Sequence, residues 1–130
     1  MMKTILLVDD DPDVLSSLEV IVARPEYTII AMPGAEHALS AIQKEASFDL
    51  VVTDYSMPGM DAREYFSRLK QALPAVPVIV LTGHSSVTTD IPSTGFVPFE
   101  TVNKPVEPKE LCRIVKSALD SFDAMGRPVS

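Results

Sequence analysis

The sequence predicts an α/β fold, a mainly parallel sheet with helices on both faces. Short unbroken apolar runs alternate with longer segments whose apolar residues recur at helical spacing, which is the signature of a βαβ series. Run after run also ends in an acid or a turn residue, as strands of an open parallel sheet do where they meet solvent. With 130 residues and 46% hydrophobic content, the chain suits one domain with a sizeable core and is too short for two.

Thr4 to Val8 reads as the first strand, buried on both faces because its apolar residues do not alternate with polar ones. In the acidic stretch Asp9-Asp10-Asp11-Pro12-Asp13, Asp11 is placed to cap a helix and Pro12 suits its first position. Val14, Leu15, Leu18, Ile21 and Val22 line one face of that helix, which should end before Pro25. Tyr27 to Met32 is the second strand. Pro33-Gly34 opens a second helix with Ala35, Ala38, Leu39 and Ile42 on one side, leaving His37 off the stripe in solvent. Leu50, Val51 and Val52 form a third buried strand that ends at Asp54. Met57-Pro58-Gly59 stops it, since proline lacks a ladder donor and glycine permits a turn.

Ala62 to Leu73 is the third helix, with Tyr65, Phe66, Leu69, Ala72 and Leu73 as its buried face. Pro74 and Pro77 bracket the link into Val78 to Leu81, a fourth strand that runs into Thr82-Gly83. From Gly83 to Pro105 the pattern is poor. Small polar and β-branched residues with Pro92 and Gly95 are weak helix material, so a helix there should be weak or remodelled. Phe96 to Asn103 is expected to hold the fifth strand, irregular in its first half because of Pro98. Leu111, Ile114, Val115, Ala118, Leu119 and Phe122 mark a last helix from about Glu107 onward. Residues 1–125 are expected to form the domain, with 126–130 a frayed tail.

A net charge of −7 argues against binding a nucleic-acid backbone, which needs a basic surface to displace counterions. The longest apolar runs are far short of a membrane span, and Met1-Met2-Lys3 leads directly into a strand, so a cytoplasmic protein without membrane contact is expected. The single cysteine, Cys112, excludes an internal disulfide and a cysteine-based zinc site, and its place in a helix suits a half-buried thiol.

The strand ends carry Asp9 and Asp10, Asp54, Thr82 and Lys104, and parallel strands deliver all of them to one edge. Taken alone, Asp54 would more commonly be a turn residue capping the next helix; partners from other strands change that reading. Three neighbouring carboxylates repel unless a cation neutralises them. Magnesium (or manganese) suits a few carboxylates, retained waters and a phosphate oxygen. Lys104 adds a point charge and Thr82 a hydroxyl donor, which together describe a pocket for a phosphoryl group.

Four segments, Ile5-Leu-Leu-Val-Asp9-Asp10-Asp-Pro, Asp49-Leu-Val-Val-Thr-Asp54-Tyr-Ser-Met-Pro-Gly-Met-Asp61, Val78-Ile-Val-Leu-Thr82-Gly and Asn103-Lys104-Pro105, stand at strand ends in this order. Each is weak alone, and together they carry the resemblance. The chain resembles, over essentially its whole length, the receiver domain of two-component response regulators, of the chemotaxis-regulator kind. The resemblance implies a flavodoxin-like, doubly wound sheet of five parallel strands in the order 2-1-3-4-5. It implies that Asp54 accepts a phosphoryl group from a sensor histidine kinase or histidine phosphotransfer protein. Asp10 would bind magnesium directly and Asp9 mainly through water, with Asp54 and the Ser56 carbonyl completing the ligands. Lys104 would contact the phosphoryl group, its bond to Pro105 would be cis, and Thr82 would be the switch hydroxyl. Gly83 would leave room for phosphoryl access. Ser56 and His84 would tune the lifetime of the acyl phosphate, His84 being equally well a plain loop histidine. A downstream protein target would read the helix after the fourth strand, the fifth strand and the last helix. Such a domain assists its own phosphorylation and dephosphorylation and is otherwise no enzyme.

Two departures stand out. Thr101 occupies the position three before the lysine where the family usually has an aromatic switch; Phe99, two residues earlier, is the alternative ring. The weak segment after the fourth strand would select an unusual partner. With no further domain after the last helix, a stand-alone regulator is expected. The rival readings are a small haloacid-dehalogenase-type phosphohydrolase, with Asp9 as nucleophile and Asp11 as acid, and a non-phosphorylated receiver-like scaffold. Against the hydrolase, Asp13 stands where Thr or Val is expected, one acid alone ends the Asp54 strand, and no cap domain excludes water.

Overall fold

The computed structural model describes residues 2–44, 47–55, 57, 59–83 and 97–124. Its elements are β1 (Lys3–Val8), α1 (Pro12–Val22), β2 (Tyr27–Met32), α2 (Ala35–Lys44), β3 (Leu50–Asp54), α3 (Ala62–Ala72), β4 (Val78–Thr82), β5 (Glu100–Asn103) and α4 (Pro108–Ala124). All five strands are parallel, in the order β2-β1-β3-β4-β5.

Side chains alternate across the sheet, so each strand feeds two cores. Leu6, Val8, Val51, Val78 and Val80 point to α2 and α3, where they meet Ala38, Leu39, Ile42, Phe66 and Leu69. Ile5, Leu7, Val52, Ile79 and Leu81 face α1 and α4, where Leu18, Val22, Leu111, Val115 and Ala118 close over them. Burying each such side chain contributes about 1.5–3 kcal/mol, which is why the central strands β1, β3 and β4 read as continuous apolar runs.

Carboxylates set the helix starts. Asp11 caps α1, its Oδ1 accepting from the N–H of Asp13 at 2.9 Å and of Val14 at 3.4 Å. Asp61 caps α3 through the N–H of Arg63 at 3.1 Å. Glu107 accepts from the N–H groups of Lys109 and Glu110 at the start of α4. Gly59, at φ +96°, takes the left-handed conformation that the turn after β3 requires.

The fifth strand follows the sequence pattern, and one burial departs from it. β5 is Glu100–Asn103, the second half of the segment expected to hold it, whose first half Pro98 was expected to make irregular. Pro98 has no N–H to donate, and pairing with β4 begins only where the Phe99 N–H reaches the Val78 carbonyl at 2.8 Å. Ala72 is exposed rather than buried, whereas Leu73 beside it is half-buried against the core that holds Tyr65, Phe66 and Leu69. The weak helix expected across Ser86 to Ser93 and the tail 126–130 lie outside the described residues. Among the described residues, no helix is long and apolar enough to cross a membrane.

Candidate functional site

Because β1 and β3 are neighbours, the acids that follow them arrive side by side. Asp9 leaves β1 with its N–H still bonded to the Met32 carbonyl of β2 at 3.3 Å. Asp54 is the last residue of β3, in register with Leu81 of β4. One carboxylate oxygen from each of Asp9, Asp10 and Asp54 lies within 4.8 Å of the other two, Asp9 and Asp54 being buried and Asp10 exposed. From the far side, Lys104 is placed by its N–H, which donates to the Thr82 carbonyl at 2.8 Å just beyond β5. Its ammonium lies 3.0 Å from Asp9 Oδ2 and 3.3 Å from Asp54 Oδ1, and the peptide bond to Pro105 is cis.

The surroundings of the two buried acids differ. Asp9 is fully enclosed, with Oδ1 taking the Asp11 N–H at 2.9 Å and Oδ2 held by Lys104. Asp54 retains 11% of its side-chain exposure, against none for Asp9. Burial raises the Asp54 carboxyl above its ordinary pKa; Lys104 opposes that shift, and the negative charges of Asp9 and Asp10 reinforce it. Burial pulls Lys104 the other way, but its bond to Asp9 and the charges of Asp54 and Asp9 outweigh it and hold the ammonium above the usual lysine range.

The donor set fits a hard divalent ion. Octahedral ligands at about 2.1 Å from magnesium stand roughly 3.0 Å apart when adjacent and 4.2 Å when opposite. At least two of the three pairs must be adjacent, so oxygens already within 4.8 Å need to close by at most about 1.8 Å to meet that geometry.

The sequence model of the family described as response regulator receiver domain matches residues 5–116. The chain belongs to the response regulator receiver domain family. It is 31% identical over 116 residues to the transcriptional regulatory protein GlrR of Escherichia coli K12, covering 89% of this chain and 26% of that protein. To the DNA-binding transcriptional regulator NtrC of Salmonella typhimurium it is 27% identical, over 94% of this chain and 26% of that one. The receiver domain thus spans about a quarter of the length of these relatives. A crystal structure of a CheY-like response regulator receiver domain protein from Methanospirillum hungatei JF-1 superposes with a TM-score of 0.87 at 28% identity, over 97% of this chain and all of that one.

This receiver domain brings Asp9, Asp10, Asp54 and Lys104 into one cluster, with Thr82 buried at the neighbouring end of β4. Around Gly83 nothing described lies within 4 Å of where a Cβ would stand. Thr101 is half-buried in the middle of β5, opposite Val80. Phe99 packs on the α1/α4 core at the level of Val78, four residues back from Thr82 along β4 and so about 13 Å from it. No ring of β5 therefore stands beside Thr82 among the described residues. Ser56 and His84 lie outside them.

Sequence reasoning placed Tyr65 only as part of an apolar stripe, and it assigned Thr53 no role. In the structure their hydroxyls meet, 2.8 Å apart, directly beneath Asp54. The available signal was chemical: a tyrosine on a buried helix face needs a partner for its hydroxyl, whereas phenylalanine would not.

Proposed function

We propose that the chain is a phosphoacceptor switch in which Asp54 receives a phosphoryl group from the phosphohistidine of a sensor kinase or histidine phosphotransfer protein. The observation that carries this reading is the contrast between the acids: Asp54 is reachable from solvent, whereas Asp9 is enclosed with both oxygens engaged. A carboxylate oxygen of Asp54 attacks phosphorus, an oxygen–phosphorus bond forms, and the nitrogen–phosphorus bond breaks to return the imidazole. Positioning and charge neutralisation carry most of such a transfer. A bound magnesium ion would add positive charge against the incoming phosphoryl oxygens; Asp10, Asp54 and the Ser56 carbonyl would hold it directly, and Asp9, whose oxygens are both engaged, mainly through water. Lys104, already between Asp9 and Asp54, supplies a second positive charge from the other side. Thr82 is the hydroxyl that answers the new group, Gly83 leaves it space, and Ser56 and His84 tune its lifetime.

Residues 1–125 are the unit we assign to this role. A cleft of about 510 Å³, lined by Val14, Leu18, Ile21, Pro105 and Val106, opens beside Lys104 and suits a donor protein approaching Asp54. The output is read by a second protein on the surface that includes β5 and α4.

Incubation with acetyl phosphate and magnesium, followed by intact-mass measurement, tests the assignment. One phosphoryl group is expected on the wild type and none on Asp54→Asn. Labelling that survives Asp54→Asn and disappears in Asp9→Asn would establish the hydrolase-type arrangement instead. A wild type that is never labelled, by acetyl phosphate or by a phosphohistidine donor, would leave the scaffold reading.

A further inference from the structure

Thr53, fully buried, immediately precedes the proposed acceptor. Its Oγ1 lies 3.1 Å from the Asp54 carbonyl oxygen and 2.8 Å from the hydroxyl of Tyr65, a residue of α3 with 1% exposure. The carbonyl has no proton, so Thr53 uses its single proton to donate to Asp54. Tyr65 must then donate to Thr53. Burial, with a smaller opposing effect from the bond to Thr53, holds the phenol well above its ordinary pKa, so it remains a donor across the working pH range.

The other edge of the same peptide group is also tied. The Tyr55 N–H donates to the Leu81 carbonyl of β4 at 2.8 Å. The plane joining Asp54 to Tyr55 is therefore held at its N–H by β4 and at its C=O by a two-hydroxyl chain that ends on α3. Rings back this anchor: Tyr65 packs on Phe66 at 5.2 Å between centroids, and Phe66 on Tyr55 at 5.8 Å.

We propose that Tyr65 is a positioning residue for the acceptor, acting through Thr53 to fix the peptide plane from which the Asp54 carboxylate projects. The inference rests on the reading of Asp54 as the acceptor. Misplacing a reacting group by a fraction of an ångström lowers its rate without touching the binding of its partner, and this separates the role from that of ordinary core packing.

The test measures acyl-phosphate formation from acetyl phosphate at saturating magnesium, with the donor concentration varied, alongside thermal unfolding. Tyr65→Phe keeps the ring and removes the hydroxyl. It should lower the maximal rate roughly fivefold with the donor KM unchanged. Thr53→Val should do the same, and Thr53→Ser should stay near wild type because it keeps the hydroxyl. The double variant Tyr65→Phe/Thr53→Val should be no slower than Thr53→Val alone, as expected for two links of one chain. A wild-type maximal rate in a folded Tyr65→Phe, or in Thr53→Val should Tyr65→Phe not fold, overturns the proposal while leaving Asp54 as acceptor. Equal slowing in Thr53→Ser and Thr53→Val overturns it as well, since the hydroxyl would then be irrelevant. If Asp54→Asn is labelled normally, the acceptor reading itself fails and this inference falls with it.

Discussion

Replacing Asp54 by asparagine keeps the shape of the side chain and removes one of three clustered negative charges, and its effect on stability can be worked from the distances. Carboxylate oxygens no more than 4.8 Å apart repel by at least about 3.5 kcal/mol at an effective dielectric constant of about 20. Asp9 exerts close to that on Asp54, while exposed Asp10 exerts a fraction of it because water screens it. Lys104, at 3.3 Å, returns about 5 kcal/mol on the same scale. Attraction and repulsion nearly cancel, so the desolvation of a buried carboxylate decides the sign, in agreement with the raised pKa of Asp54. Asp54→Asn is therefore expected to stabilise the metal-free protein by about 1 kcal/mol, a gain typical of relieving a functional site. For a chain of this length that is a rise in Tm of roughly 4 °C.

The pH dependence follows from the direction of the shift. A carboxyl whose folded pKa is raised binds its proton more tightly in the native state. Its ionisation penalty is absent below the ordinary aspartate value of about 3.9 and appears as pH rises through the higher folded value. The advantage of Asp54→Asn should thus be full at neutral pH and vanish in acid. Circular-dichroism melts in EDTA at low salt, from neutral pH downward, measure it, and added magnesium should raise the wild-type Tm more than that of the variant. A variant less stable than wild type at neutral pH, or one whose advantage persists undiminished in acid, would refute the reasoning.

Lys104→Gln leaves the enclosed Asp9 carboxylate without its 3.0 Å partner, and urea unfolding in EDTA should show a loss of about 3 kcal/mol, partly recovered with magnesium. Asp11→Ala removes the acceptor for two N–H groups at the start of α1 and should cost about 1 kcal/mol in the same assay, with magnesium affinity intact. Phe66→Ala empties a site with 0% exposure between α3 and the sheet, for an expected loss of about 4 kcal/mol by chemical denaturation. Asp10→Asn leaves the fold nearly unchanged, since Asp10 is exposed, and should weaken magnesium binding at least tenfold by calorimetric titration.

Unbroken apolar runs located β1, β3 and β4 to within a residue at their ends, and helical period gave the buried stripe of α4 residue by residue, because only that face of the helix is apolar enough to pack on the sheet. Asp11 as a cap was equally legible, since capping is settled within four neighbouring residues. The exact first residue of β5 was not, although Pro98 already marked the half of the segment before Glu100 as irregular. It depends on where the chain after Pro98 can reach the Val78 carbonyl, a contact between segments distant in sequence. Ala72 was misplaced because helical period groups it with the buried face, whereas its exposure depends on how the end of α3, where Leu73 rather than Ala72 packs on the core, seats on the sheet.

From the sequence alone came the chemistry present at each strand end, and with it the acids, the hydroxyl and the lysine. Local pattern determines those, because a strand's length and its terminating turn are written in adjacent residues. Only the tertiary structure decided which acid is enclosed and which remains reachable, and that the Tyr65 hydroxyl meets Thr53 beneath Asp54. Exposure and the pairing of buried hydroxyls depend on how helices seat on the sheet, and that seating is fixed by the packing of the whole core.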